Sequence, residues 1–302
     1  MFLENIKEAI TSIFSNKMRS VLTMLGIIIG ISAVITITTI GNSIQTTLTS
    51  TLNSLGGNTV QAYVDARYPE DDADWDTWEY PEMKTSDFVT QEMIDELVEK
   101  YPDEFDGIAA SEFLGNGQIR QDKNTYANVS VQGTTSEYID YMKLKMYAGR
   151  NLTKQDNKTK KNVCIVADTM AKQYFGDENP IGEQITYAGS DGNLYNFTIV
   201  GIYEYNAALF GKVDTSVPEK DRYTTMFIPI QTCFKLMGKD QSGYTIFNLM
   251  VNSLADIDQA TTDVTNFFEE KYANNENFHV TTYNMASDMG MINTVINVIT
   301  IA

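Results

Sequence analysis

The longest hydrophobic run lies near the start of the chain. From Val21 to Ile40 it reads VLTMLGIIIGISAVITITTI, twenty residues without a charge. At ~1.5 Å rise per residue such a helix covers roughly 30 Å, the thickness of a bilayer's hydrocarbon layer, so the pattern predicts a transmembrane helix over 21–40. A secretion signal has an apolar core of only about 7–15 residues and then a small-residue cleavage site, and neither matches here. Gly26 and Gly30 form a G-x-x-x-G pair with two readings: close approach of another helix, or ordinary lipid-facing glycines. Before the span, Phe2, Leu3, Ile6, Ala9, Ile10, Ile13 and Phe14 recur at helical spacing opposite Glu4, Asn5, Lys7, Glu8, Thr11 and Ser12. This predicts an amphipathic helix over 1–20 lying on the membrane surface. Residues 41–57 turn polar and read as a stalk. Met289 to Ala302 again carries no charge, and 285–302 reads as the start of a second transmembrane helix, with a buried terminal strand or helix as the alternative.

Between these segments the periodicity mixes strand and helix, which predicts an α+β external domain. TVQAYV alternates as a strand; TQEMIDELVEKY puts Met93, Ile94, Leu97, Val98 and Tyr101 on one helical face behind Thr90 as N-cap. Two strand-like runs flank RQDKNT, the second being YANVSVQG. Late in the chain TTMFIPI and YTIFNLMVNS read as strands, DIDQATTDVTNFFEEKY as a helix burying Ile257, Ala260, Val264, Phe267 and Phe268, and FHVTTY as a last strand. The two mirrored sets predict one porter-like β-α-β lobe from 58–134 and 224–284, its helices on one face of a shared sheet. An inserted, mainly-β lobe over 135–223 contains the strand NVCIVA, a short helix capped by Asp168 and stopped at Gly176, and a hairpin turning at SDGN.

Charge sets the orientation. Lys7, Lys17 and Arg19 precede the span and the next basic residue is Arg67, which predicts a cytoplasmic N-terminus and an extracytoplasmic main domain in the cell membrane. The first forty residues carry a net +1, so with the whole chain at −18 the remainder carries −19. Such a surface repels nucleic acid and anionic lipid headgroups. Residues 65–87 concentrate nine carboxylates against two basic groups, with Trp75 and Trp78 among them. Asp72, Asp74 and Asp76 alternate as in a calcium loop, but Thr77 stands where glycine is required and no glutamate follows at the twelfth position. A solvated loop and a docking surface for a basic partner are the other two readings.

Reactive chemistry is sparse. No G-x-x-x-x-G-K-[ST] phosphate loop is present. The single histidine, His279, alternates with Phe278 and Val280 on a short strand, is read as solvent-facing, and has no nucleophile elbow beside it. Cys164 and Cys233 lie in strand-like runs without a C-x-x-C; two buried thiols are favoured over a disulfide. No catalytic, cofactor-binding or metal-binding residue is expected.

NKMRSVLTMLGIIIGISAVI, LGGN, YAGRNLT, YFGDENPIGEQI, FTIVGIY and FIPI follow one another in an order and spacing that resembles MacB-like ABC transporter permeases of the FtsX/MacB superfamily. The resemblance covers nearly the whole chain and includes no catalytic motif. It implies a permease subunit, not an enzyme, that couples ATP hydrolysis by a separate cytoplasmic ABC ATPase to movement of its external domain, for export of drugs, peptides or similar compounds. It further implies a second copy of the permease as partner, the lipid bilayer around the spans and an extracytoplasmic adaptor protein. Three further spans and the loop contacting the ATPase are expected beyond Ala302. The alternative is a membrane-anchored binding or sensing domain without transport activity.

Overall fold

The computed structural model describes residues 17–54, 58–69, 78–122, 125–206, 209–210, 216–238 and 243–284, with Ile6, Glu8 and Ser15. The expected surface helix over 1–20, the Asp72–Asp76 stretch and the second span over 285–302 fall wholly or largely outside them. In chain order the elements are α1 (Lys17–Ser54), β1 (Thr59–Ala66), α2 (Gln91–Lys100), β2 (Phe105–Ala109), β3 (Ser111–Arg120), β4 (Tyr126–Thr134), α3 (Tyr138–Tyr141) and β5 (Met146–Gly149). They continue with α4 (Lys154–Lys158), β6 (Val163–Ala167), α5 (Asp168–Phe175), β7 (Gln184–Gly189), β8 (Leu194–Tyr203), β9 (Thr224–Pro229), α6 (Ile230–Leu236), β10 (Ile246–Val251), α7 (Ile257–Lys271) and β11 (Phe278–Asn284).

α1 runs unbroken for 38 residues, about 57 Å at helical rise. Its segment Lys17–Gly41 holds an 18-residue window with a mean hydropathy of 2.4 and no burial, as expected of a candidate membrane span. The hydroxyls of Thr36 and Thr39 return to the carbonyls of Ser32 and Ile35 at 2.7 Å, so these polar groups are satisfied within the helix. A methyl added at Gly26 or Gly30 would meet nothing within 4 Å. Most of the expected stalk is helix, because nothing in GNSIQTTLTSTLNS interrupts α1 before Ser54.

Residues 54–286 form a separate compact unit with two sheets. The first is fully antiparallel in the order β11-β1-β10-β2. With α2 and α7 as crossovers it is a split β-α-β arrangement. β1 alternates strictly: Val60, Ala62, Val64 and Ala66 are buried and the residues between are half-buried. The buried face meets Ile94 and Leu97 of α2 and Ala260, Val264, Phe267 and Phe268 of α7 in one core. Local signals hold the helices: Thr90 Oγ1 accepts from the Met93 amide at 3.3 Å, and the Asp256 carboxylate from Asp258 and Gln259 at 2.9 and 3.2 Å.

The second sheet takes the order β5-β8-β6-β9-β4-β3-β7, and β7 also pairs with β8. Residues 194–198 of β8 pair with β7 and residues 201–203 with β5. The ring β8-β6-β9-β4-β3-β7 is therefore closed, a six-stranded barrel filled by Ile119, Val129, Ile165, Phe197, Ile199 and Phe227. This corrects the expected division. β3, β4 and β9, placed by the sequence in the 58–134 and 224–284 lobe, belong to the barrel, which runs from 111 to 229 rather than 135 to 223. The physical reason is the parallel pairing of β4 with β9, Val129↔Thr224 through Thr134↔Pro229, which joins segments over ninety residues apart.

The chain crosses between the sheets at Ala110 and at Pro229. At the first crossing the Thr135 hydroxyl donates to the Ile108 carbonyl at 2.8 Å and accepts from the Ala110 amide at 3.1 Å. At the second, proline ends β9 and starts α6. Cys233, expected in a strand, therefore lies on a helix. Ile230 and Phe234 enter the first core and Cys233 the second, so α6 is common to both. Gly133 of β4 makes room for it: a Cβ there would lie 2.2 Å from Cys233 Cβ and 3.1 Å from Ile230 Cα. Cys164 and Cys233 are both buried, and neither forms a disulfide. Asp168 opens α5 but Ala167 is the N-cap; the Asp168 carboxylate accepts from the Thr169 amide at 2.7 Å and the Tyr205 amide at 3.0 Å.

Asp156 is the barrel's buried charge, its side chain 1% exposed. Burial pushes its carboxyl pKa up, but hydrogen bonds from Arg150 and Thr153 outweigh that and hold it down at about 2. Lys161 adds a contact at 3.4 Å.

Two stability predictions follow from these contacts. Gly133→Val should lower the melting temperature through an overpacking cost of about 1–3 kcal/mol; an unchanged melt would show that α6 does not rest on β4. Asp156→Asn should destabilise by about 2 kcal/mol near pH 7. Because the folded pKa is depressed, the wild type's advantage is present above about pH 4 and lost as pH falls toward 2. Melting both proteins across that range checks it, and an advantage persisting at pH 2 would contradict it.

Candidate functional site

The residues singled out from the sequence do not converge. His279, expected to face solvent, is half-buried on β11. Its Nε2 lies 3.1 Å from Thr281 Oγ1, and its Nδ1 is enclosed without a partner among the described residues. Cys164 is shut inside the barrel, where burial pushes its thiol pKa far up and suppresses the reactive thiolate. Among the described residues no cluster of three or more metal-ligating side chains occurs. The two ends of the acidic stretch are pinned. Tyr68, Trp78, Tyr80 and Phe278 pack in series at centroid distances of 5.1, 5.9 and 6.2 Å. Arg67 and Asp87 both engage the turn at Asn275, with Arg67 Nε donating to its carbonyl and Asn275 Nδ2 to the Asp87 carboxylate, each at 2.8 Å.

What the fold does bring together is the pair of chain segments that lead toward the two apolar stretches. Four residues, 55–58, separate the end of α1 from β1, and β11 ends at Asn284, immediately before 285–302. β1 and β11 are antiparallel neighbours with Val60 opposite Asn284, so the first residues of β1 and the last of β11 lie side by side at one corner of the first sheet.

Asparagines brace this corner. Asn58 Nδ2 donates to the carbonyl of Val251, and the Asn58 carbonyl accepts from the Val251 amide at 2.9 Å. The chain is thus held to the end of β10 before β1 begins. Asn284, 5% exposed, donates through Nδ2 to Thr261 Oγ1 at 2.7 Å and Asp258 Oδ1 at 3.3 Å, tying the end of β11 to the first turn of α7. One turn on, the hydroxyls of Thr265 and Thr282 lie 2.6 Å apart. Asn252 completes the edge: its amide donates to the Glu104 carbonyl at 2.7 Å and its side chain to Asp106 Oδ1 at 3.2 Å. Burial first, then the neighbouring Asp263 carboxylate, push the Glu104 pKa up.

These side chains can fasten and orient backbone; they hold no nucleophile or acid–base pair with a substrate cleft. Sequence reading missed them, although Asn58 lies in the LGGN motif. Neither asparagine carries a local signal, because the strand ends they brace become neighbours only in the fold.

The family described as MacB-like periplasmic core domain matches residues 20–267. The Macrolide export ATP-binding/permease protein MacB of Neisseria gonorrhoeae is 25% identical over 213 residues, 70% of this chain and 30% of that protein. The uncharacterized ABC transporter permease YknZ of Bacillus subtilis is 26% identical over 278 residues, 92% of this chain and 63% of its own length. The chain thus spans less than two thirds of either relative. The crystal structure of the periplasmic region of MacB from Actinobacillus actinomycetemcomitans superposes with a TM-score of 0.50 at 15% identity, covering 82% of this chain and 95% of that one, a likeness of fold. With the family matched across most of its length and the same architecture in a solved relative, the chain belongs to the MacB-like periplasmic core domain family.

Proposed function

We propose that the chain is the first span and external domain of an ABC-type export permease that passes ATP-driven movement across the membrane through the corner where β1 and β11 meet. Supporting this is the pairing of Val60 with Asn284, beside an α1 that continues as helix to Ser54. The N-terminus lies in the cytoplasm, where a separate ABC ATPase engages the permease; two copies of each form the working unit, and an adaptor protein meets the external lobes. α1 and the chain after β11 carry displacement to one edge of a sheet. The four-residue link leaves little slack, and Asn58 and Asn284 keep the strand ends from peeling away. ATP hydrolysis in the cytoplasm then acts outside only through elements with two arrangements.

A flexible linker is the sharpest test. Six Gly/Ser residues inserted after Ser54 in the complete permease should abolish export while ATP hydrolysis by the partner ATPase persists. Unimpaired export would sink the transmission reading and favour an anchored binding domain. Asn284→Ala should weaken export several-fold by the same route.

Orientation has its own check. In a background lacking Cys164 and Cys233, an impermeant thiol reagent on intact cells should label Asp191→Cys and spare Lys7→Cys. The reverse pattern would invert the topology.

A further inference from the structure

The barrel carries a concavity that plays no part in the corner just described. A cavity of about 520 Å³ opens beside α5, the first residues of β4 and β9, and the helical turn at Glu219–Asp221, within the ~300–1,000 Å³ usual for small-molecule sites. Ala127 and Met170 form its floor, 3% and 1% exposed, and Tyr205 and Tyr223 also line it.

Its walls are held by hydrogen bonds that need no ligand. Gln173 Nε2 donates to the carbonyls of Tyr126 at 2.6 Å and Lys220 at 2.9 Å, tying α5 to both neighbouring segments. Asn128 Nδ2 donates to the Asp221 carbonyl at 2.8 Å. The Asp168 carboxylate fixes the Tyr205 backbone at the cavity's edge. The site is built before anything enters it, which lowers the ordering cost of binding.

Its charge runs against the rest of the domain. Residues 41–302 carry a net −19, and five cations elsewhere sit on acids: Arg150 and Lys161 on Asp156, Lys145 on Glu204, Lys154 on Glu137, Lys271 on Glu96. Lys172, Lys220 and Arg222 line this cavity against one acid, Glu219, and none of the three forms an ion pair among the described residues. The Asp221 carboxylate, between Lys220 and Arg222 in sequence, accepts the Tyr126 hydroxyl instead. Among the described residues Arg222 donates only through its Nε, to the Val217 carbonyl at 3.0 Å. The hydroxyl oxygen of Thr224, also on the cavity wall, is enclosed and without a partner among the described residues. Enclosed polar atoms are ordinarily hydrogen-bonded.

We propose that this cavity binds an amphipathic organic anion: a flat apolar body over Met170 between Tyr205 and Tyr223, with one anionic head group among Lys172, Lys220 and Arg222. The site stands whether or not the β1–β11 corner transmits movement.

Two dyes that share an anilinonaphthalene body separate head group from body: 8-anilino-1-naphthalenesulfonate, an anion, and N-phenyl-1-naphthylamine, which is neutral. All residues of both cores lie between Val60 and Val280, so residues 54–286 can be titrated without the span, each variant's melting temperature being recorded. The sulfonate dye should bind once per chain, at least tenfold tighter than the neutral dye, and more weakly as salt rises. Lys220→Met, which removes a charge without removing a side-chain hydrogen bond, and Arg222→Met should each weaken it fivefold or more with little change in melting; Glu219→Gln should tighten it. Equal affinity for the two dyes, or undiminished sulfonate binding in both cation variants, would overturn the proposal.

Discussion

The antiparallel pairing of β1 with β11 is the constraint on which the external domain depends. It closes the first sheet by joining residues more than two hundred positions apart, Val60 with Asn284. It puts the two segments that border the apolar stretches side by side, and it leaves everything between them as one long excursion that returns to its starting point. A displacement applied to either segment reaches the same pair of strands. Backbone ladders resist sliding collectively, since a slip of one residue would turn every buried side chain of β1 to the wrong face.

What lies beyond that corner is stiffened by shared elements. α6 contributes to both hydrophobic cores, Thr135 bonds across the first crossing, and Gly133 lets helix and strand approach within backbone contact. The barrel has no free seam along its six-stranded ring because β7 returns to β8, which removes the edge exposed by an open sheet. The Asp156 cluster locks the segment after β5 by charge rather than apolar contact. Two small lobes joined this way are suited to moving as a body, and a cavity on the barrel would be carried along with them.

Much of this was legible in the residues. The span announced itself by length and lack of charge; β1, α2, α7 and β11 by alternation, helical spacing and the cap at Thr90; the hairpin by SDGN. The partition of strands between lobes was not legible, because alternation tells which face of a strand is buried and says nothing about its neighbour. TTMFIP has the same apolar texture whether it joins β1 or β4, and only the parallel register with residues 129–134 decides. Cys233 was misassigned for a related reason: Pro229 could end a strand or begin a helix, and it does both. Asn58 and Asn284 carry no pattern until the strand ends they brace are known to be adjacent. The cavity is assembled from four separate stretches, so its cations look scattered along an acidic chain.

The central claim is that nucleotide-driven movement reaches the external lobes. The direct measurement is electron–electron double resonance on the complete transporter in nanodiscs, with a spin label at exposed Glu178 in each of the two copies. The account predicts that the distance between labels shifts to a distinct population when the ATPase is trapped with ATP, and returns when nucleotide is removed. The same distance distribution in both states would contradict it.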